Sequence, residues 1–329
     1  MTTVLISDRF QKLAIIAAML LLSLIWGGTF VASKYVLQTG VSVGALLAIR
    51  FLLALVFLGA TMLLLRKPFD RRSAVDGLIL GIILAVIFWL QVDGLRFTTV
   101  SKSGFITGLV VIFTPMVSLL LGERFKLSHG MGALLACVGL FFLVRDPQAP
   151  FGGWNRGDSE TLVCAVLCGF HVTLTARFSR RGSPWVIAFM QISTVALLSC
   201  VLTFLLPVNA SAGQSMAGFE MLESALKRPE VWFGILYLAA FATALGFYMQ
   251  TALQSKLSAT EAAIIFTTEP VFSALIATSG LIPSVHESLT LTQASGGALI
   301  VAAMLLAELG PRMIGKQKKM PENNVKLPW

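Results

Sequence analysis

Charge is what this chain has least of. Asp, Glu, Lys and Arg make up 12% of its 329 residues, about half the ~25% of an ordinary soluble domain. Apolar residues make up 56%, and mean hydropathy is +0.84. So few charges cannot clothe a water-facing surface, which excludes a soluble globular enzyme and a disordered protein. The four cysteines, Cys137, Cys164, Cys168 and Cys200, lie inside apolar stretches, so no secreted disulfide scaffold is expected. No His/Cys set has zinc-ligand spacing, and neither a metal nor a cofactor is expected. H-E-x-x-H, Walker A and G-x-S-x-G sequences are missing. The chain is therefore not expected to be an enzyme or to be driven by its own ATP hydrolysis. Its net charge of +9 comes without the aromatic interleaving or folded module of a nucleic-acid reader. The basic residues read instead as loop charges that orient a membrane protein.

Long apolar runs are abundant. A bilayer core needs about 20 apolar residues per helix. Ten windows qualify: 13–33, 43–65, 77–95, 103–121, 129–145, 160–178, 185–206, 231–253, 260–281 and 290–309. Helices are expected because lipid offers the backbone no hydrogen-bond partners. The first run is too long for a cleaved signal segment and is read as a retained span. With the N-terminus in the cytoplasm, 17 Lys and Arg fall inside and 7 outside, and Arg50 within a span completes the 25. That bias predicts both termini cytoplasmic, and the expected location is the inner membrane. Gly77/Gly81 and Gly104/Gly108 form G-x-x-x-G pairs, read as packing within one chain, and the chain is expected to be a monomer.

The halves overlay. Ser103-Gly104 followed by Pro115-Met116-Val117-Ser118 matches Ser258-Ala259 followed by Pro270-Val271-Phe272-Ser273. Glu123, Leu127, Gly132 and Leu135 match Glu287, Leu291, Gly296 and Leu299, and Gly27 aligns with Gly169. The expected division is a first repeat at 1–150, a second at 151–312 and a basic cytoplasmic tail at 313–329. Five spans per repeat is an odd number, so the second copy enters from the opposite side. The fold class is thus an all-α membrane protein with ten transmembrane helices in two inverted five-helix repeats, an architecture suited to alternating access.

Several segments carry a family resemblance. Trp26-Gly27-Gly28-Thr29-Phe30-Val31-Ala32-Ser33-Lys34, Arg50-Phe51, Gly94-Leu95-Arg96-Phe97-Thr98-Thr99, Gly122-Glu123-Arg124 and Glu269-Pro270-Val271-Phe272 resemble motifs of the EamA-type drug/metabolite transporter superfamily. Two departures stand in the second half, where the Gly-Glu motif is His286-Glu287 and the Trp-Gly motif is Cys168-Gly169. The resemblance implies secondary transport of small organic molecules, often export of amino acids or metabolites. It also implies a substrate site near the midplane between spans one, three, four, six, eight and nine. A facilitative permease and a nucleotide-sugar antiporter of the same superfamily are the alternatives.

Polar residues inside spans are costly and mark function by default. Glu269 beside Pro270 is the expected proton-coupling site, because a carboxylate held away from water can take up a proton; a structural hydrogen bond is the other reading. His171 either titrates in the cavity or is satisfied by a neighbouring helix. Trp26, Trp89, Tyr248 and Gln250 are expected to line the cavity for a small amphipathic solute. Trp89 and Gln91 are two apart and cannot both face it, and Trp89 is preferred. Arg50 is expected in a structural ion pair with Asp93, with a substrate carboxylate as the alternative partner. Pro115 and Pro270 hold matching places in their repeats and are expected hinges.

Overall fold

A computed structural model describes residues 2–121, 127–144, 153–205, 208–209, 215–216, 218–257, 259–266 and 268–314. The Gly122–Lys126 motif and the basic tail from residue 315 lie outside the described residues. Helix dominates. In chain order come α1 (Thr2–Gln38), α2 (Val43–Leu64), α3 (Arg71–Gly94), α4 (Val100–Gly108), α5 (Val110–Leu120), α6 (Leu127–Val144), α7 (Arg156–Phe178) and α8 (Pro184–Leu205). They are followed by α9 (Gly218–Leu226), α10 (Trp232–Leu236), α11 (Gly246–Gln254), α12 (Ala259–Phe266), α13 (Thr268–Thr278) and α14 (Leu291–Ile314). A π-helical stretch, Tyr237–Leu245, joins α10 to α11. The described strand pairing is a two-residue ladder, Val208–Asn209 on Ser215–Met216.

Joined end to end, α4 with α5, α10 with α11 and α12 with α13 give ten rods, as the apolar windows predict. Among the described residues seven are long and apolar enough to cross a membrane: Gln11–Gln38, Val43–Leu64, Arg71–Gly94, Val100–Leu120, Arg156–Phe178, Pro184–Leu205 and Pro229–Gln254. The outer faces of the rods are apolar, with Val56, Val86, Leu134, Phe141, Leu197, Phe241 and Leu275 exposed. An apolar belt of that extent is a lipid contact, and the chain is an all-α membrane protein.

Local chemistry sets the rod ends. Ser42, Asp70 and Thr99 cap α2, α3 and α4 by accepting from the backbone N–H three residues on. Asn155 and Asp158 form a reciprocal capping box at α7. Gly40, at φ +88°, follows α1 in the left-handed conformation that only glycine adopts freely.

Small residues set the packing. Gly77 and Gly81 bring α3 onto α8 against Ile187, Met190, Gln191 and Thr194. Gly27 of α1 lies on Glu269, Phe272 and Ser273 of α13, and its aligned partner Gly169 of α7 lies on Phe113 and Thr114 of α5. This reciprocal docking is the contact pattern of a duplicated bundle. Gly139 of α6 and Gly296 of α14 bring the fifth and tenth rods together.

One end of the bundle is tied by polar contacts across the two halves. Asp158 accepts from Thr98 Oγ1 at 2.5 Å and lies 3.6 Å from Lys102 Nζ. Asp93 pairs with Arg96 and Arg156 at 2.8 Å each. Glu287, the counterpart of the Gly-Glu motif, accepts from the first amides of α4, Val100 N at 2.5 Å and Ser101 N at 3.0 Å. Lys34 Nζ donates to the Leu95 and Thr98 carbonyls. At the opposite end, Arg181 grips Asp76 through two bonds of 3.1 and 2.6 Å.

Candidate functional site

A cavity of about 90 Å3 lies between α1, α2, α3, α4, α5, α7, α11, α12 and α13. Its apolar wall is aromatic. Trp26 packs tilted against Phe247 and Phe266, with ring centroids 5.6 and 5.2 Å apart. Phe88 meets Phe247 edge to face at 5.9 Å. Trp26 is locked by donating its Nε1–H to the Ala242 carbonyl at 2.9 Å. Ala242 lies in the π-helical stretch, where widening of the helix redirects backbone carbonyls.

Polar groups enter this wall at few points. Arg50, only 2% exposed, donates from Nε to Thr243 Oγ1 at 2.8 Å. Thr243 in turn donates to the Leu238 carbonyl five residues back, so the same π stretch holds the arginine's partner. The Arg50 guanidinium lies 4.5 Å over Phe88 and 5.3 Å over Phe51, a cation–π setting. Among the described residues no carboxylate lies within ion-pair distance of Arg50, and no cation within that distance of Glu269. Both line the cavity, Arg50 from α2 and Glu269 from α13. His171 Nε2 donates to Gln191 Oε1 at 2.7 Å, and its ring stands edge-on to Phe247. Gln250 Oε1 and Thr107 Oγ1, both on the cavity wall, are buried without hydrogen-bond partners. Buried polar atoms are nearly always paired, so two such atoms without a partner among the described residues make this wall the candidate site.

The structure brings four of the expected residues, Trp26, His171, Gln250 and Glu269, to the cavity wall. Two others lie elsewhere. Tyr248 stacks on Trp185 at 3.9 Å, and Trp89 packs into the core cluster around α2, α3 and α8. The choice between Trp89 and Gln91 is reversed, since Gln91 joins Leu84, Ile87 and Phe88 in one stripe facing the cavity. The expected Arg50–Asp93 pair does not form. Arg50 lies seven residues into α2, about 10 Å down the helix at 1.5 Å per residue. Asp93 stands at the last turn of α3, beside Arg96 and Arg156. Thr107 and the phenylalanines of the wall were missed because an apolar membrane helix shows little contrast between its faces.

The matched prolines differ in setting. Pro115 lies inside α5, one turn and a half after the break at Leu109, whose N–H bonds back three residues to Ile106. Pro270 sits in the first turn of α13, where a missing N–H costs nothing.

The model of the EamA-like transporter family matches twice, over residues 13–145 and 155–309. The chain belongs to the EamA-like transporter family. It is a membrane transporter of the drug/metabolite type, and the two matches each cover five rods. An uncharacterized transporter from Archaeoglobus fulgidus is 31% identical over 290 residues, covering 88% of this chain and 84% of that protein. A second uncharacterized transporter of the same organism is 24% identical over 248 residues, covering 73% and 80%. A solved crystal structure at 19% identity superposes with a TM-score of 0.64 over 91% of this chain and 97% of that one, a likeness of fold.

Proposed function

We propose that this EamA-family chain is a secondary transporter that exports a small organic metabolite, an amino acid or a related compound, by alternating access. The observation that supports it most is one aromatic-walled cavity lined by Arg50 and Glu269, which among the described residues have no carboxylate and no cation, respectively, within ion-pair distance. A zwitterion supplies both missing charges. Unpaired charges inside a membrane bundle are otherwise too costly to retain. Size points the same way. At about 10–15 Å3 per water-sized group, the cavity takes roughly six to nine such groups, which suits an amino acid and not a nucleotide-sugar.

In this reading residues 1–150 and 151–312 are the exchanging repeats, 313–329 is a tail, and both termini lie on the cytoplasmic side of the inner membrane. Trp26, Phe88 and Phe247 hold the apolar part of the solute. Gln91, Gln250 and Thr107 take its hydrogen bonds, and His171 orders the wall through Gln191. Pro115 and Pro270 let the halves of rods four and nine move. Glu269 carries the coupling proton when no cationic group neutralises it. Export is the direction the family resemblance suggests.

The test is counterflow in proteoliposomes with a panel of labelled amino acids and other small metabolites, with and without a pH gradient. Saturable counterflow of a zwitterion is expected. Unsaturable flux, or conductance, would replace the carrier with a facilitative pore.

A further inference from the structure

We infer that Cys164 and Cys168 form a binding site for trivalent arsenic, taken up as the neutral oxyacid As(OH)3. The two residues are one turn apart on α7, and residues at that spacing share a helix face. Their sulfurs stand 4.0 Å apart, about twice the ~2.05 Å of a disulfide, and both are free thiols. Cys168 opens on the cavity wall, whereas Cys164 is fully buried one turn behind it. The cavity is thus a port to a preformed dithiol, a feature no part of the transport reading uses.

The arrangement selects the ligand by coordination number and charge. Among the described residues no group of three or more His, Cys, Asp or Glu can hold a metal ion, so an ion needing three or four protein donors is not served. Arsenic(III) is served by two. The Cys168 sulfur displaces one hydroxide of As(OH)3, and the thiol proton leaves with it as water. The Cys164 sulfur then closes the bridge in the same way. Two S–H and two As–O bonds break, two As–S and two O–H bonds form, and the products are (RS)2As–OH and two waters. Arsenic stays trivalent and no charge is created in an apolar wall, where a charged complex would be heavily penalised. The remaining As–OH faces a cavity whose wall carries the orphaned Gln250 Oε1 and Thr107 Oγ1 as acceptors.

Closure of the second bond is intramolecular, so the pair binds on the order of 10²–10⁴-fold more tightly than one thiol. Cys137, exposed on α6, and Cys200, on α8, cannot contribute this advantage.

The test uses the full chain in lipid nanodiscs as the C137S/C200S variant, titrated with sodium arsenite. Bound arsenic is counted by elemental mass spectrometry, and free thiols are counted by colorimetric titration. One arsenic per chain is expected, with both thiols lost and then restored by excess dithiol but not by monothiol. Adding C164S or C168S should weaken binding by about 100-fold or more. Alanine versions run in parallel, and only variants with the parent's melting temperature are read. The inference is overturned if the parent binds no arsenic or keeps two titratable thiols when loaded. It is equally overturned if either single-cysteine protein binds as tightly as the pair.

Discussion

The charges at the tied end of the bundle and those in its cavity are the same kinds of side chain in opposite circumstances. At the end, Asp158 has Thr98, Asn155 and Lys102, Asp93 has two arginines, and Glu287 has two helix amides. In the cavity, Arg50 has a threonine and two aromatic faces, and Glu269 has no cation within ion-pair distance among the described residues. A paired charge near the water boundary recovers its lost hydration from its partner. An unpaired one in the bilayer interior does not, and it persists where a solute completes it. The first set holds the halves together; the second, under the proposed function, is completed by substrate.

Substitutions can break this contrast, and the largest effect is expected at Arg50. Arg50→Met removes a charge-assisted contact to substrate worth about 1.5–3 kcal/mol, roughly a 10- to 150-fold loss of counterflow affinity. The melting temperature should hold or rise, because an apolar side chain of similar volume replaces an ion without a carboxylate. A folding defect with intact affinity would make Arg50 structural. Asp158→Asn should show the reverse: stability falls by about 1–3 kcal/mol as a buried carboxylate loses its charge, while substrate affinity is unchanged. Thermal melting and binding on the same preparation decide it.

Glu269→Gln sharpens the comparison on the proton. Wild-type exchange should change with an imposed pH gradient, whereas the Gln variant should run at one rate across pH. A retained gradient response would take Glu269 out of coupling. The smallest expected effect separates Gln91 from Trp89. Gln91→Ala should cost about 0.5–1.5 kcal/mol of binding, or roughly 2- to 10-fold, while Trp89→Leu should leave affinity unchanged and lower stability. Equal losses would place both residues against the solute.

Much of the fold was legible because the bilayer imposes it. Ten apolar windows became ten rods among the described residues, whereas the caps at Ser42, Asp70, Thr99 and Asn155 became visible only in the structure. The aligned glycines Gly27 and Gly169 marked the duplication, and the structure shows that each docks a neighbouring helix. Part of the cavity was legible too, since Trp26, His171, Gln250 and Glu269 stand out as polar or aromatic residues within apolar runs. Gln91 and Thr107 did not. On α3 the residues on both sides of the Leu84–Gln91 stripe are apolar, one side for lipid and the other for protein, so helical periodicity carries little contrast. The Arg50–Asp93 expectation failed on depth, because it placed the two charges level in the bilayer and they lie about two helix turns apart.

Composition, hydropathy and repeated motifs by themselves determined a ten-helix, duplicated membrane protein, because lipid excludes unpaired backbone and charge from every span; its place among transporters came from the family resemblance. The tertiary structure alone decided which buried charges are answered and which are not. That depends on helix rotation and depth, and on one local irregularity: the π-helical stretch Tyr237–Leu245. It aims Thr243 at Arg50 and the Ala242 carbonyl at Trp26, and no pattern of apolar and polar residues along the chain encodes that redirection.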